Sequence, residues 1–432
     1  MPAEVTVGTR IPTMYGKSVT VLRYIGSGGQ GSVYEVLYDG EHKALKWYHP
    51  GSVRDPKFFV NNLIQNIRNG APTPEFLWPQ DLTDFHEGSY GYVMDLRPPT
   101  YAEVNDFLLN HAHFPSFRRA VDACLGIVSA FRILHDEGYA YQDINSKNFF
   151  INPDKGKILI CDNDNVVPND AQSGIRGTWG FMAPEVVKGG HPNTQSDLHS
   201  MAVLLFLLLF KVHPLEGRSM ASSVLDDTER MRIYATDSLF VFDERDHSNA
   251  LSPETNAENI NLWKQMPGYL RDLFSRAFSQ EALGDPRRRP IEVEWTRALA
   301  RFRSEIQRCP CGNTELVLEG GKTAVCEVCG RAMSSPLVID MPHACLPALY
   351  DTRIYACQLG TVRPDQALDL VGWVVPSRND MRVLGLSNQS RDAWEVSTSC
   401  GLWAVQPQEV VRLEDGLVVR GRSFTLSVRR SS

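Results

Sequence analysis

The stretch "YQDINSKNFF" at residues 141–150 and the nearby "ILICDNDN" at residues 158–165 decide the fold class of this chain. Both follow helix-like residues and precede apolar residues, and both place lone carboxylates outside a strand-like context. The spacing of Asp143, Asn148 and Asp162 raises the question of which chemistry needs them, and Asp164 is an unusual further carboxylate beside them.

A glycine-rich stretch lies upstream, "GSGGQGSV" from Gly26 to Val33, with the pattern Gly-x-Gly-x-x-Gly-x-Val. Glycines allow a tight strand–turn–strand whose backbone amides approach phosphate oxygens without a Cβ in the way. The sequence is strand-rich on both sides of the glycines, which disfavours a dinucleotide-binding fold. Lys46 follows the last glycine by 15 residues. Alone it would be interpreted as a surface lysine, but after such a hairpin it can pair with α- and β-phosphates.

Further landmarks occur in order between Tyr15 and Arg303. They are "YVMDL" at 92–96, "YQDINSKN" at 141–148, "CDNDN" at 161–165, "GTWGFMAPE" at 177–185, "SDLHSMAVLLF" at 196–206 and "DPRRRP" at 285–290. In this order they resemble the hinge, catalytic loop, Asp-Phe-Gly segment, Ala-Pro-Glu segment, central helix and late arginine of the protein kinase family. The resemblance implies an α+β bilobal protein kinase fold over residues 15–304, with a front lobe at 15–94 and a rear lobe at 98–304. It also implies that Asp197 ties down the catalytic loop and that Arg289 pairs with Glu185.

The resemblance implies roles for single residues as well. Asp143 would orient a substrate hydroxyl and accept its proton, while Asn148 and Asp162 would hold Mg²⁺ (or Mn²⁺) on the phosphates of ATP. Lys147 is either a basic residue facing the transferred phosphate or a solvated lysine. Met94 would be the gatekeeper residue beside the adenine pocket. The implied nucleotide contacts are Gly26, Ser27, Gly28, Gly29, Gln30, Gly31, Val33, Ala44, Lys46, Met94, Asp95, Leu96 and Arg97, with the backbone of Asp95 and Arg97 facing adenine.

Several residues depart from the kinase pattern. Tyr141 replaces histidine and keeps an aromatic body. Gln142 replaces the arginine that usually binds a phosphorylated activation loop, so we predict that this pairing does not switch the protein on. Asn163 and Asp164 replace Phe and Gly, which weakens the case for flipping of this segment. Asp164 is expected to be either a further metal ligand or a solvated turn residue.

The largest departure concerns the front-lobe helix predicted for "DPKFFVNNLIQNIRNG" at residues 55–70. In kinases this helix offers a glutamate to the strand lysine, but the chain has no Glu between Lys46 and Glu75. Asn61, Asn62 or Gln65 could hydrogen-bond the lysine instead. Two interpretations follow, an active enzyme with altered control of this helix or a nucleotide-binding pseudokinase scaffold that organises a partner without catalysis.

Activity is favoured because the lysine, the catalytic aspartate and the metal ligands are all retained. The function implied is that of an ATP- and Mg²⁺-dependent serine/threonine kinase acting on a partner protein or on itself. The "DNDN" signature and the domain arrangement resemble a group of bacterial kinases associated with tellurite-resistance phosphorylation systems. That group implies two partners, a von Willebrand-type protein and a metal-dependent phosphatase.

Four of the nine cysteines crowd into "CPCGNTELVLEGGKTAVCEVCG", and the other five are scattered, which is not the pattern of a disulfide framework. The two Cys pairs resemble a zinc ribbon over residues 305–334, with a short strand–Gly-Gly–strand hairpin between them. Four thiolates would close off a structural Zn²⁺ site. The predicted ligands are Cys309, Cys311, Cys326 and Cys329.

Residues 335–432 carry short Val-, Leu- and Trp-rich runs separated by Gly, Pro, Asn and Ser, which predicts an all-β domain. Its end faintly resembles a degenerate forkhead-associated β-sandwich. The elements that grip phosphate in that family are not evident, so a protein-interaction or substrate-presenting module is the preferred interpretation, with an inert β domain as the alternative.

Composition excludes several other classes of protein. With 43% hydrophobic and 22% charged residues over 432 positions, the chain is a multidomain globular protein. A net charge of −7 argues against a nucleic-acid partner. The apolar run "MAVLLFLLLF" at 201–210 is too short to span a bilayer and predicts a buried core helix. No secretory signal is visible, so a cytoplasmic protein without a membrane partner is expected, and the oligomeric state stays open.

Overall fold

The structure is a computed structural model that describes residues 5–431 except 54, 87, 170, 172, 173, 175, 176, 221–224, 313, 378, 379, 381 and 382. Its front lobe is an antiparallel sheet with the strand order β1-β2-β3-β4-β6-β5. A single helix, α1, lies between β4 and β5 in the chain. The front-lobe elements are β1 (Arg10–Pro12), β2 (Ser18–Ser27), β3 (Gly31–Tyr38), β4 (Glu41–Tyr48), α1 (Pro56–Asn69), β5 (Asp81–Leu82) and β6 (Gly91–Asp95).

Local sequence explains where α1 begins and ends. The Asp55 carboxylate accepts the N–H of Phe58, and Pro56 occupies the first turn, where its missing N–H costs nothing. The helix ends before Gly70, which has a φ of 78°. It buries Phe59 and Leu63 in the same apolar cluster as Tyr48 of β4. The helix is therefore held by packing on the sheet.

The rear lobe is helical and is built around α5, whose Asn193 cap accepts the N–H groups of Gln195 and Ser196. Every residue of α5 from Ser196 to Phe210 is buried, which confirms the predicted core helix. Within the described residues no helix is both long and apolar enough to cross a membrane. The rear-lobe helices are α2 (Val104–Leu108), α3 (Phe117–Asp136), α4 (Pro184–Val187), α5 (Thr194–Phe210), α6 (Asp227–Met231), α7 (Pro253–Gln265), α8 (Gly268–Ala277), α9 (Gln280–Gly284) and α10 (Glu292–Glu305).

Short strands on the rear lobe position the polar residues of the candidate site. β9 and β10 are antiparallel, and β7 pairs on the other side of β9. Residues 141–148 precede β9 and residues 161–165 follow β10, so the two polar stretches meet at the same end of this hairpin. These strands are β7 (Ala102–Glu103), β8 (Tyr139–Ala140), β9 (Phe149–Asn152), β10 (Lys157–Ile160) and β11 (Val167–Pro168).

The cysteine-rich segment forms two small hairpins. β12 (Ile306–Arg308) pairs with β13 (Glu315–Val317), and β14 (Ala324–Val325) pairs with β15 (Ala332–Met333). The sequence predicted a hairpin between the Cys pairs, and this is wrong, because β13 and β14 pair outward with different strands. Each Cys pair instead occupies the turn of its own hairpin.

Within the described residues, the C-terminal region is all β apart from a short helix, α11 (Ala356–Leu359), and a single 3₁₀ turn at Pro364–Gln366. Its strands form two antiparallel sheets, ordered β17-β16-β25-β24-β21-β22 and β18-β19-β20-β23. Apolar side chains from both sheets share one core, as in a β-sandwich. The strands are β16 (Leu337–Met341), β17 (Ala344–Pro347), β18 (Arg353–Tyr355), β19 (Leu370–Pro376), β20 (Leu384–Asn388), β21 (Trp394–Thr398), β22 (Gly401–Val405), β23 (Val410–Arg412), β24 (Val418–Arg420) and β25 (Thr425–Arg430).

The C-terminal region packs directly on α3 and α10 of the rear lobe. Arg118 of α3 donates to the carboxylate of Asp351 at 2.7 Å, and the hydroxyl of Ser304 in α10 donates to the carbonyl of Arg353 at 2.8 Å. Cys357 is buried in the same core cluster as the rear-lobe helices. The predicted domain boundaries at 304/305 and 334/335 stay predictions, since the contacts run across them.

Candidate active site

The glycine-rich stretch forms the turn between β2 and β3, as the sequence predicts. The N–H of Gly28 donates to the carbonyl of Gly31 at 2.8 Å. A Cβ at Gly31 would lie 2.3 Å from the carbonyl oxygen of Trp47, so only glycine fits. A Cβ at Gly26 or Gly29 would meet nothing within 4 Å. The turn therefore has the open backbone that a phosphate-binding loop requires.

Ser27 and Gln30, the other two residues of the turn, are held by hydrogen bonds to nearby residues of the same lobe. The Ser27 and Ser32 hydroxyls lie 3.1 Å apart. The carbonyl of Gln30 accepts hydrogen bonds from the Ser52 hydroxyl and the His49 N–H, each at 2.8 Å. These contacts fix both ends of the turn while its glycines stay open.

The residues expected around adenine come together on one surface of the front lobe. Val33 lies opposite Lys46 in the β3–β4 pair, and Ala44 lies opposite Met94 in the β4–β6 pair. Ala44 and Met94 are buried in one apolar cluster, against which Val33 and Leu96 pack. This cluster is an apolar wall of the kind that a nucleotide base needs.

In the predicted hinge, the side chains of Asp95 and Arg97 contact other residues of the same chain. Asp95, the last residue of β6, accepts from the Lys43 ammonium at 2.7 Å. The Arg97 guanidinium lies 4.5 Å from the ring centroid of Phe150 and donates to the carbonyl of Tyr101. Main-chain atoms are therefore the groups that these residues can offer to adenine, and that role stays a prediction.

The catalytic-loop stretch is fixed by Asp197 of α5. Its carboxylate accepts the N–H of Tyr141 at 2.6 Å and the N–H of Gln142 at 3.0 Å. This confirms the predicted anchoring. The other predicted pair is also confirmed, since the Arg289 guanidinium donates two hydrogen bonds of 2.7 Å to the Glu185 carboxylate.

Asp143 is held from both its backbone and its side chain. The Thr178 hydroxyl donates to the Asp143 carboxylate at 2.8 Å. The side-chain amides of Asn145 and Asn148 donate to the Asp143 carbonyl at 3.1 and 3.0 Å. Burial raises the pKa of Asp143, and the Thr178 hydrogen bond offsets part of that shift. The carboxylate is therefore oriented and already engages one hydroxyl.

A largely buried histidine, whose side chain is 10% exposed, connects the catalytic-loop stretch to α10. His135 lies 3.2 Å from Asp197 through Nε2 and 2.5 Å from Glu292 through Nδ1. Burial lowers its pKa, but hydrogen bonds to Asp197 and Glu292 outweigh burial and raise the pKa from 6.5 to about 9. His135 is therefore a cation at neutral pH and bridges two carboxylates.

We expect this bridge to make stability pH-dependent. The folded-state pKa is raised, so the contribution is fully present below pH 6.5 and is lost as the pH rises through about 9. The shift corresponds to roughly 3 kcal/mol of unfolding free energy. Urea unfolding of wild type and His135→Gln at pH 6.5 and 9.5 would measure it. The variant should lose less stability across this range, and equal losses would contradict the role of His135.

Asp162 and Asn148 meet at the end of the β9–β10 hairpin. The Cys161 N–H donates to the carbonyl of Asn148 at 2.9 Å, which brings the two polar stretches together. Asp162 has a left-handed φ of 54°, and its side chain is 38% exposed. The Asn148 amide nitrogen donates to Asp143, which leaves the amide oxygen available as a ligand. An accessible carboxylate and an amide oxygen fit a hard divalent cation.

Asp164 is not the solvated turn residue that was one of its two predicted placements, and its role as a further metal ligand stays a prediction. Its carboxylate lies 2.9 and 3.0 Å from the Lys46 ammonium and accepts the hydroxyls of Tyr48 at 2.7 Å and Tyr92 at 3.1 Å. Its side chain is 0% exposed, so it is not solvated, and protein donors occupy both oxygens. Burial disfavours the Lys46 cation, but the charges of Asp162 and Asp164 outweigh burial and raise the pKa of Lys46.

The predicted amide partners from α1 are corrected by the same contacts. Asn61 and Gln65 are exposed, on the outer face of the helix. The Asn62 side chain donates to the carbonyl of Val166 at 2.8 Å, as does Asn66 at 2.9 Å. The phase of the helix, which the sequence left ambiguous, thus points these amides toward the segment after the "DNDN" turn.

Sequence reasoning missed the two tyrosines that surround Asp164. The sequence contained a signal for Tyr48. Lys46 and Tyr48 are two positions apart on one strand, so their side chains lie on the same face. Tyr92 has a weaker signal, since it lies opposite Lys46 on β6. No local pattern indicates that either phenol binds a carboxylate more than 70 residues away in the chain.

Lys147 lies in the catalytic-loop stretch with an exposed side chain. Its backbone N–H donates to the side-chain oxygen of Asn145 at 3.0 Å. This contact fixes the loop next to Asp143 but does not direct the lysine ammonium. Both predicted roles of Lys147 stay predictions.

The four predicted cysteines converge at the tips of the two small hairpins. Their sulfur atoms all lie within 4.8 Å of one another, with Cys309 to Cys329 at 3.7 Å and Cys311 to Cys326 at 3.9 Å. Tetrahedral Zn–S bonds of 2.3 Å place sulfurs about 3.8 Å apart. The donor set therefore fits Zn²⁺.

The two lobes, the open glycine turn, the buried lysine and the fixed aspartate at the lobe junction form the arrangement expected of a protein kinase. The comparison with known families agrees. The model of the protein kinase domain matches residues 19–289, more than half of the chain, so this protein belongs to the protein kinase domain family.

Similarity to individual proteins is more distant. Protein kinase YegI of Escherichia coli K12 is 24% identical over 324 residues, which cover 69% of this chain and 47% of YegI. The serine/threonine-protein kinase PknA of Mycobacterium tuberculosis H37Rv is 27% identical over 212 residues, which cover 45% of this chain and 47% of PknA. The chain thus spans about half the length of these curated relatives.

Proposed function

We propose that this protein transfers the γ-phosphate of ATP to serine or threonine hydroxyls of a partner protein or of itself. The observation that carries the proposal is the contact of Asp143 with the Thr178 hydroxyl at 2.8 Å. Asp143 is thereby oriented to accept a hydrogen bond from an alcohol, and Asn145 and Asn148 hold its backbone. This is the reach that a general base needs toward the hydroxyl proton of an alcohol.

In the proposed reaction, the substrate hydroxyl oxygen attacks the γ-phosphorus while its proton passes to the Asp143 carboxylate. The bond between the γ-phosphorus and the β–γ bridging oxygen breaks, and ADP leaves. Lys46, held by Asp164, would contact the α- and β-phosphates. Asn148 and Asp162 would hold Mg²⁺ or Mn²⁺, which when bound neutralises charge on the phosphates.

The C-terminal β region and the cysteine-rich segment are proposed to hold the protein substrate close to this site. This proposal is supported by the direct packing of both regions on the rear lobe. For example, the Phe117 N–H donates a hydrogen bond of 2.7 Å to Glu315. A forkhead-associated-like fold, a von Willebrand-type substrate and a phosphatase partner rest on sequence resemblance alone. The von Willebrand-type protein is therefore the first candidate substrate to test. We propose the cytoplasm as the compartment of the reaction.

The test is incubation of the full chain with γ-labelled ATP and Mg²⁺, Mn²⁺ or a chelator. Acceptors should include the chain itself, a general protein substrate and the von Willebrand-type candidate. We expect metal-dependent label in phosphoserine or phosphothreonine. Binding of Mg-ATP without label in any acceptor would favour the pseudokinase scaffold. Label in phosphotyrosine would contradict the serine/threonine assignment.

A further inference from the structure

The partner of Lys46 comes from an unusual place in the chain. Both carboxylate oxygens of Asp164 lie within 3.0 Å of the Lys46 ammonium, and the two side chains are 5% and 0% exposed. Tyr48 and Tyr92 donate their hydroxyls to the same carboxylate. A buried ion pair is stable only when its remaining polar atoms are also satisfied, and the two phenols provide that here.

The turn that carries Asp164 is fixed to the front lobe by its own residues. The Asn163 side-chain amide, 0% exposed, donates to the carbonyls of Leu77 at 2.8 Å and Ile160 at 2.9 Å. Asp162, one residue earlier, stays partly accessible and lies 3.4 Å from the Lys46 ammonium. One short turn therefore offers a metal ligand, an anchor to the front lobe and a partner for the lysine.

Helix α1 contacts a different part of this segment. Asn62 and Asn66 donate to the Val166 carbonyl, beyond the turn, and the face of α1 next to the sheet is apolar at Phe59 and Leu63. Helix α1 also reaches the surroundings of Asp164 indirectly, because the Phe59 ring packs edge-on against the Tyr48 ring with 5.2 Å between the centroids. The charged partner of Lys46 nevertheless comes from the turn and not from α1.

We propose that Asp164 is the positioning residue for Lys46, so that the "DNDN" turn rather than helix α1 sets the alignment of the nucleotide phosphates. The proposal deepens the function proposed above and rests on it for the regulatory consequence. Asp162 and Asp164 belong to one turn. Formation of the Lys46–Asp164 ion pair would therefore also place Asp162, the proposed metal ligand. Movement of α1 would then act on Lys46 only indirectly, through the packing of Phe59 on Tyr48.

The first measurement is ATP binding by calorimetry, which needs no phosphate transfer. Asp164→Asn removes the buried counterion of Lys46 and leaves only the more exposed Asp162 carboxylate, 3.4 Å away, so we expect the dissociation constant for Mg-ATP to rise about tenfold or more. Asn62→Ala removes one of the two α1 hydrogen bonds to the Val166 carbonyl and should change this dissociation constant by less than about threefold. A larger effect of Asn62→Ala than of Asp164→Asn would overturn the proposal.

The second measurement distinguishes a specific effect of Asp164→Asn on Lys46 from a general loss of folding. In a double-mutant cycle, Asp164→Asn should cause no further loss of ATP affinity once Lys46→Met is present. The double variant should also melt above the single variant Lys46→Met, because the isolated buried carboxylate is removed. Additive effects on both readouts would show that Asp164 does not act through Lys46. If ATP binds as expected but no transfer occurs, the kinase function fails while the positioning role stands.

Discussion

Asp143→Asn is expected to reduce the rate of phosphate transfer by about 10²- to 10⁴-fold, the usual contribution of a general base. The amide keeps the shape of the side chain and can still accept the Thr178 hydrogen bond, but it cannot take up the substrate proton. Asp143 is not part of the apolar cluster around Ala44 and Met94 that is expected to contact adenine. The affinity for ATP should therefore change by no more than about twofold. Initial rates with labelled ATP and calorimetric titration would measure the two quantities.

A charge-matched control is available for this variant. Asp154, in the turn between β9 and β10, is exposed and can be changed to Asn with the same loss of charge. We expect Asp154→Asn to transfer phosphate at the wild-type rate. Retention of more than about a tenth of the activity in Asp143→Asn would contradict the role of Asp143 as the base.

Cys326→Ser is expected to abolish stoichiometric zinc binding and to unfold the two hairpins at the cysteine tips. The hairpins have strands of two or three residues, and their core is formed by Cys309, Leu316, Leu318 and Cys326. So small a core does not fold alone, and a structural zinc site contributes on the order of 10 kcal/mol. Elemental analysis and the melting temperature of the full chain would report both effects.

The loss should spread to the rear lobe, because the first hairpin and the turn that follows it contact two helices. Glu315 accepts the N–H of Phe117 at the start of α3, and the Gly320 N–H donates to Glu305 at the end of α10. Cys400→Ser is the matched control, since Cys400 is exposed and lies outside the cluster. Wild-type protein that purifies without zinc and melts unchanged after chelation would overturn the assignment.

Motifs whose chemistry depends on nearby residues could be predicted from the sequence. The glycine turn, the catalytic loop and each Cys pair are contiguous segments in which backbone geometry alone brings the key atoms together. The pairs Asp197 with the catalytic loop and Arg289 with Glu185 were also predicted, through resemblance to the kinase family. In each case the structure has the expected contact.

Predictions failed where the outcome depends on which face of an element is buried. For α1, a rotation by one residue decides whether Asn61, Asn62 or Gln65 points inward, and packing of Phe59 and Leu63 on the sheet settles it. In the cysteine-rich segment, β13 pairs with β12 rather than with β14, because Ile306 of β12 is already fixed in the rear-lobe core.

The sequence by itself determined the family of this protein, the identity of its catalytic and metal-binding candidates and the four cysteines of the candidate zinc site. Only the tertiary structure decided the role of Asp164. Its partners Lys46, Tyr48 and Tyr92 lie on two strands of the front lobe, far away in the chain. A carboxylate next to a metal ligand is ambiguous in sequence, since it can bind metal, face water or pair with a cation. Burial beside the Lys46 ammonium leaves the ion pair as the arrangement that compensates its charge.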